Sequence, residues 1–183
     1  MNTMSKPVLH GPRVTLRDAV PSDVDARFAL GNTPDIVKMF GGDPGQVRDI
    51  TRDAAEAWVK TVADDSHAWI IEAGGVMLGS LRLHPINFAD KRALIGIGIL
   101  DQNALGHGYG TEAMQVLAAH AFDTMGLHRL GCRVLTFNER AIAAYKKVGF
   151  VVEGQERESA FIDAEWHDDL IMGLLDRDLA RLT

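Results

Sequence analysis

The sequence predicts an α+β fold of the α/β-sandwich kind, and three observations carry that expectation. Three apolar or alternating segments follow one another with turn-forming residues between them, which is the pattern of consecutive antiparallel strands. The last of them runs straight into a glycine-rich loop and an amphipathic helix, as in a βαβ unit. Helical and strand signals are otherwise mixed, without the regular alternation of a doubly wound parallel sheet.

Taken in order, Val14 to Arg17 alternates and reads as a first strand. Pro21 opens a helix with Asp23 and Asp25 in its first turn, where the helix dipole favours acids, and Phe28, Ala29 and Leu30 are expected to form its apolar side. Thr33 to Phe40 reads as a second short helix. The breaker run Gly41-Gly42-Asp43-Pro44-Gly45 then predicts a flexible loop. Thr51 to Ala63 is a helix with Thr51 as N-cap and a stripe of Ala54, Ala57, Trp58 and Val62.

Ala68 to Glu72 and Val76 to Ile86 flank Gly74-Gly75 and predict a hairpin. Asn87 to Lys91 turns the chain into a third strand, Ala93 to Leu100. Beyond the glycine loop, Thr111 to Met125 carries Met114, Leu117, Ala118, Ala121, Phe122 and Met125 at helical spacing, with Gly126 as its stop. Leu130 to Thr136 is a strand, and Asn138 begins a helix that carries Ile142, Tyr145 and Val148 and ends at Gly149. Phe150 to Glu153 and Glu165 to Leu175 are expected as two final strands joined by a polar excursion.

The chain has 183 residues, and the expectation is a single domain over 1–183. A formal net charge of −6 argues against nonspecific nucleic-acid binding and means that an anionic ligand needs a local positive field. The single cysteine, Cys132, excludes an internal disulfide framework and reads as a buried strand residue. Met1 to His10 has no apolar leader core, and no window is apolar enough to span a membrane, so a cytoplasmic protein without membrane partners is expected. His107, His120, His128 and His167 are too scattered for a metal site, and none is assigned.

The stretch Leu105-Gly106-His107-Gly108-Tyr109-Gly110-Thr111-Glu112 follows a strand and opens a helix. Glycines allow close backbone approach, and the first helical N–H groups with the positive dipole end face an anion, so this loop suits a pyrophosphate. It is not a P-loop, because Thr111-Glu112 stands where a Lys-Ser/Thr pair is required. It is not a dinucleotide fingerprint either, since Thr111 replaces the third glycine and the strands upstream form hairpins.

About one βαβ unit later comes Asn138-Glu139-Arg140-Ala141-Ile142-Ala143-Ala144-Tyr145-Lys146-Lys147-Val148-Gly149-Phe150. The two motifs in this order closely resemble the GCN5-related N-acetyltransferase (GNAT) superfamily, most of all its ribosomal-protein and polyamine acetylating branches. The resemblance implies a mostly antiparallel central sheet flanked by helices, with a splayed parallel strand pair that admits acetyl-CoA. It implies that Ile99 and Leu100 pair with the pantetheine arm, with carbonyl polarisation by an N–H near Leu100. The pyrophosphate is then held by Gly106, His107, Gly108, Tyr109, Gly110 and Thr111. Leu105 stands where relatives usually carry Arg or Gln, so the loop should grip mainly through its backbone and somewhat more weakly. Asn138, Ala141, Ala144 and Tyr145 are implied along the cofactor arm, and Arg140, Lys146 and Lys147 are available to its phosphates.

Tyr145 is the expected catalyst, because a phenol can give a proton to a departing thiolate. Ile95 to Leu100 has no ionisable side chain, so the proton acceptor is expected to be His84 on the preceding strand, directly or through water, or else a water chain in its place. The resemblance implies a primary amine acceptor, either a protein N-terminus or a small amine, and a monomer or homodimer. Acceptor-side carboxylates are available at Asp43, Asp49, Glu158, Asp163, Glu165, Asp168 and Asp169, while Arg82 would repel a cation. A non-catalytic acyl-CoA-binding or sensor domain on the same scaffold stays open as the alternative.

Overall fold

A computed structural model describes residues 6–182. The leaderless reading of the N-terminus therefore lies in part, over Met1 to Ser5, outside the described residues. The elements are β1 (Leu9–His10), β2 (Val14–Arg17), α1 (Asp23–Leu30), α2 (Pro34–Met39), α3 (Arg52–Asp64), β3 (Ala68–Ala73), β4 (Val76–Asn87), β5 (Arg92–Ile99), α4 (Tyr109–Asp123), β6 (Arg129–Leu135), α5 (Glu139–Val148), β7 (Val151–Ile162) and β8 (Glu165–Leu175). The strands form one sheet in the order β1-β2-β3-β4-β5-β6-β8-β7. Every neighbouring pair is antiparallel except β5 and β6. The mixed, mostly antiparallel sheet expected from the sequence is present.

The parallel pair decides the shape of the site. β5 pairs with β6 only from Arg92↔Arg129 to Leu94↔Gly131, after which the two strands separate. Ile95 to Ile99 thus keep β4 on one side and face an open split on the other. α4 crosses between the two strands and buries Ala113, Met114, Leu117, Ala118 and Ala121 against the sheet. Cys132 lies buried in β6, as its residue type suggested.

Local signals place most helix ends. Thr51 caps α3 by accepting the Ala54 N–H at 3.1 Å, and Thr33 accepts the Ile36 N–H of α2 at 3.4 Å. Gly149 ends α5 at φ 116°, with its N–H on the Tyr145 and Lys146 carbonyls. Gly126 acts slightly later than expected: α4 stops at Asp123, and Gly126 at φ 70° turns the chain so that Leu127 donates to the Ala121 carbonyl.

Four expectations are corrected. α1 does not bury Phe28 and Ala29, which are exposed; its fully buried side chains are Asp23 and Arg27, and of the expected apolar side only Leu30 packs, half-buried with Ala26, against a small cluster of Val62, Ala68, Ile70 and Met77. The reason is a polar layer beneath it, where Asp23 receives two bonds from Arg17 at 2.8 Å and Arg27 lies over the Trp58 ring. The buried stripe of α3 is Ala55, Val59 and Val62, rotated away from Ala54 and Ala57. The breaker run after α2 holds a short 3-10 turn, Pro44–Gln46, capped by Asp43. Finally, the polar excursion before β8 is itself strand: β7 continues to Ile162 and turns through Asp163 and Ala164, both at positive φ. Its residues are mostly solvent-exposed on both faces, so no alternation marks it in the sequence.

Candidate active site

Two cavities meet at the split. The smaller, about 260 Å³, runs between the end of β5, the glycine loop and α5. The larger, about 680 Å³, opens on the other side toward α3, β4 and β8. Met39, Phe40, Ile97, Asn138, Ala141 and Tyr145 line both, so the two spaces share one wall and one threshold.

The smaller cavity has the polarity of an anion site at its loop end. Gly106 and Gly108 take φ 81° and 84°, a region that suits glycine. The first bond of α4 runs from the Glu112 N–H to the Gly108 carbonyl at 3.0 Å. The amides of Tyr109, Gly110 and Thr111 therefore have no partner within the helix, and Gly108 offers no side-chain cap. These donors and the positive dipole end fit a phosphate group.

An unforeseen residue holds the loop from behind. Arg13, immediately before β2, donates from Nη1 to the His107 carbonyl at 3.0 Å and lies 5.0 Å from the Tyr109 ring centre. In a trans peptide the carbonyl and the following N–H point in opposite directions, so this bond aims the Gly108 N–H away from Arg13. No local signal marks Arg13, whose partner is 94 residues away.

Ile99, Leu105, Gly106, Gly108, Tyr109, Gly110, Thr111, Asn138, Ala141, Ala144 and Tyr145 all line the smaller cavity. His107 does not; its ring is exposed 6.3 Å from that of Tyr109. Leu100 lines only the larger cavity, and its N–H already donates to the Leu78 carbonyl at 2.7 Å. The alternation of an antiparallel ladder then turns the N–H and C=O groups of Ile97 and Ile99 toward the split. Arg140 and Lys147 stand at the mouth on one face of α5, whereas Lys146 faces elsewhere.

Asn138 is an N-cap: its Oδ1 accepts the Ala141 N–H at 3.1 Å, and its Nδ2 donates to the Met39 carbonyl at 3.4 Å. That pairing ties α2 to α5 across the split and leaves one amide hydrogen unassigned. Tyr145 is 5% exposed, packs edge-on to Phe150 and faces the Cys132 thiol. Burial pushes its phenol far above the usual range and pushes the Cys132 thiol up to about 12. Tyr145 is thus a protonated phenol at neutral pH.

His84 is exposed on β4, outside the residues that line either cavity. Of the carboxylates named for the acceptor side, only Asp169 lines the larger cavity, and it is joined there by Asp65, which the sequence did not single out. Arg133 bonds Asp169 at 2.8 Å and Glu156 at 2.7 Å. Among the described residues, no group of three or more His, Cys, Asp or Glu is placed to hold a metal ion, and no helix is long and apolar enough to cross a membrane.

The family model for the acetyltransferase (GNAT) domain matches residues 13–151. The chain belongs to the GNAT family. It is accordingly an acetyl-CoA-dependent N-acetyltransferase. Among curated proteins, it is 27% identical over 173 residues to YdaF of Bacillus subtilis (strain 168), named as a candidate ribosomal N-acetyltransferase, covering 90% of this chain and 92% of the relative. It is 26% identical over 160 residues to the spermidine N(1)-acetyltransferase of Escherichia coli (strain K12), covering 87% and 84%. Among solved structures, an acetyltransferase (GNAT family) from Bacillus anthracis superposes with a TM-score of 0.80 at 20% identity, over 93% of this chain and 99% of that one. The spermidine N-acetyltransferase from Vibrio cholerae, solved with CoA and spermine, gives 0.76 at 23% identity, over 92% and 98%. These structural likenesses speak for the GNAT fold.

Proposed function

We propose that the protein acetylates a primary amine, a protein N-terminus or a small amine, by direct attack on the acetyl-CoA thioester through a tetrahedral intermediate. The observation that carries this reading is the position of Tyr145, which lines both cavities at their shared threshold. A group there reaches the smaller, donor-side space and the larger, acceptor-side space at once. The amine enters from the larger cavity and the donor arm lies along β5, where the Ile97 and Ile99 backbone groups face the split.

The thioester supplies an activated acyl group, and the chain supplies position, polarisation and a proton. The N–H of Ile99 takes over the carbonyl-polarising role expected near Leu100, because the Leu100 N–H is engaged with Leu78. Tyr145 gives its proton to the leaving sulfur. Its raised pKa does not prevent this, since the same burial raises a thiol beside it, as at Cys132. With His84 outside both cavity linings, the amine releases its proton to solvent in the open acceptor cavity.

Two relatives bear names that match this acceptor class: YdaF a ribosomal one, the Escherichia coli enzyme spermidine. The test is thiol release from acetyl-CoA across a panel of N-terminal peptides, polyamines and small amines. Turnover on at least one amine is expected. Binding of acetyl-CoA with no turnover on any amine would instead establish a non-catalytic acyl-CoA sensor.

A further inference from the structure

Arg82 supplies the larger cavity with a cation that, among the described residues, no acidic side chain pairs with. β4 presents Ser80 and Arg82 to this cavity, and in the register of the sheet they stand beside Gly98 and Gly96 of β5. With no side chain at Gly96, the stem of Arg82 lies across that strand: its Cγ and Nε sit 3.9 Å from where a Cβ on Gly96 would be. Arg82 is exposed, and its side chain lies over this bare stretch of β5 in the lining of the larger cavity.

Of the two carboxylates that line this cavity, Asp169 is ion-paired and Asp65 is held in a turn of its own. Asp169 bonds Arg133, which also holds Glu156. Asp65 accepts the His67 N–H through Oδ1 at 2.8 Å, closing its own turn. Among the described residues, no carboxylate lies within ion-pair distance of Arg82 and none of its donors meets a protein acceptor. A planar guanidinium with free donors in a concave site matches a carboxylate or phosphate in two-point contact. The chain's net charge of −6 makes such a local cation necessary for any acidic substrate.

We infer that Arg82 is a substrate-binding residue and that the acceptor is a small primary amine which also carries an acidic group, carboxylate or phosphate. The amine points to the threshold at Tyr145 and the acid to Arg82. This rests on the acetyltransferase reading above and narrows its acceptor, with a polycation as the disfavoured alternative.

The experiment compares chemical twins in the thiol-release assay: 4-aminobutanoate against 4-aminobutanamide, and phosphoethanolamine against ethanolamine, with spermidine as the acid-free polyamine. Each acid twin should exceed its neutral twin in kcat/KM by roughly 10- to 100-fold, the range of a hydrogen bond to a charged group. The pair with the larger ratio names the acid. In Arg82→Gln the ratio should collapse toward one, with Arg82→Lys intermediate and the acetyl-CoA Kd holding. Spermidine or the neutral twins outrunning the acid twins would overturn the inference, as would an Arg82→Gln variant that lowers both twins alike. If no amine is turned over although acetyl-CoA binds, the transfer reading fails. Calorimetric titration of phosphoethanolamine and 4-aminobutanoate into the CoA-bound protein then decides the subsite alone. Binding lost in Arg82→Gln sustains it, and no binding to the wild-type protein overturns it.

Discussion

Nε of Arg13 donates to a carboxylate oxygen of Glu112 at 2.8 Å, across 99 residues of chain. The other oxygen of the same carboxylate accepts the N–H of Arg13 at 2.6 Å and that of Val14 at 2.9 Å. Glu112 is 4% exposed and stands in the first turn of α4. The start of β2 is thus riveted to the helix whose first amides, at Tyr109 to Thr111, have no partner within the helix. Arg13 extends the rivet to the loop through the His107 carbonyl.

This pairing makes stability depend on pH. Burial pushes the Glu112 carboxyl upward, but the N–H groups of Arg13 and Val14 and the Arg13 guanidinium outweigh it and hold it below the usual carboxylate range. The unfolded chain then binds the extra proton, so the contribution is complete above the ordinary carboxylate range and is lost as pH falls through the lowered folded value. Glu112→Gln should melt lower at neutral pH by about 2 kcal/mol of stability, or roughly 4–8 °C in a chain of this size. It should also lose part of the wild-type decline on acidification. Thermal melts between pH 7 and pH 4 measure both, and an unchanged acid slope would remove Glu112 from the account.

Gly108 should tolerate no side chain without loss of donor binding. It sits at φ 84°, and a Cβ there would lie 3.2 Å from Nη2 of Arg13. A left-handed alanine costs about 1–2 kcal/mol, and the amide it carries would turn. Gly108→Ala is expected to raise the acetyl-CoA Kd by about tenfold, measured by titration calorimetry. An unaltered Kd would show that the pyrophosphate lies elsewhere.

Tyr145→Phe separates acid chemistry from packing. The ring and its edge-on contact with Phe150 remain, and only the hydroxyl is removed. Turnover should drop by roughly 10²- to 10⁴-fold, the usual contribution of a positioned general acid, with the acetyl-CoA Kd conserved. Because burial raises the wild-type phenol, no alkaline loss of activity from its ionisation is expected near the ordinary tyrosine range. Steady-state kinetics from pH 6 to 10 would expose a lower value as a falling alkaline limb.

Asn138 carries two roles that different substitutions divide. Asn138→Ala removes the cap on Ala141 and should cost about 1 kcal/mol, seen as a lower melting temperature. Asn138→Asp keeps an oxygen for the cap but loses the Nδ2 donor that reaches the Met39 carbonyl. It should melt near the wild type while raising the KM for acetyl-CoA, since α2 is no longer tied across the split. A wild-type KM in Asn138→Asp would mean that the cap is the whole of its contribution, and equal behaviour of the two variants that the Nδ2 donor is.

Where local pattern and structure part, tertiary packing decides. Helix α3 was legible in extent, through Thr51, but not in facing: alanines at 54, 55 and 57 are equally apolar, and only packing against the sheet selects Ala55. β8 is legible over its full length, Glu165–Leu175, but β7 is not beyond Glu153, because its exposed outer part has no buried face to impose alternation. Phe28 misled for the opposite reason, being apolar on a helix whose inner side meets the Arg17–Asp23 pair.

By itself the sequence determined the features written in neighbouring residues. These are the glycine loop with its free helical amides, the caps at Thr51 and Asn138, the stop at Gly149, and the run of hairpins before a βαβ unit. Each is a property of local backbone conformation, and a few consecutive side chains suffice to set it. Tertiary structure alone decided how far β5 and β6 stay together, which backbone groups face their split, and that Tyr145 lies at the threshold of two cavities. It also decided that Arg13 braces the loop and that the stem of Arg82 lies beside Gly96. Those relationships depend on sheet register and on contacts between residues far apart in the chain, and no window of sequence contains both partners.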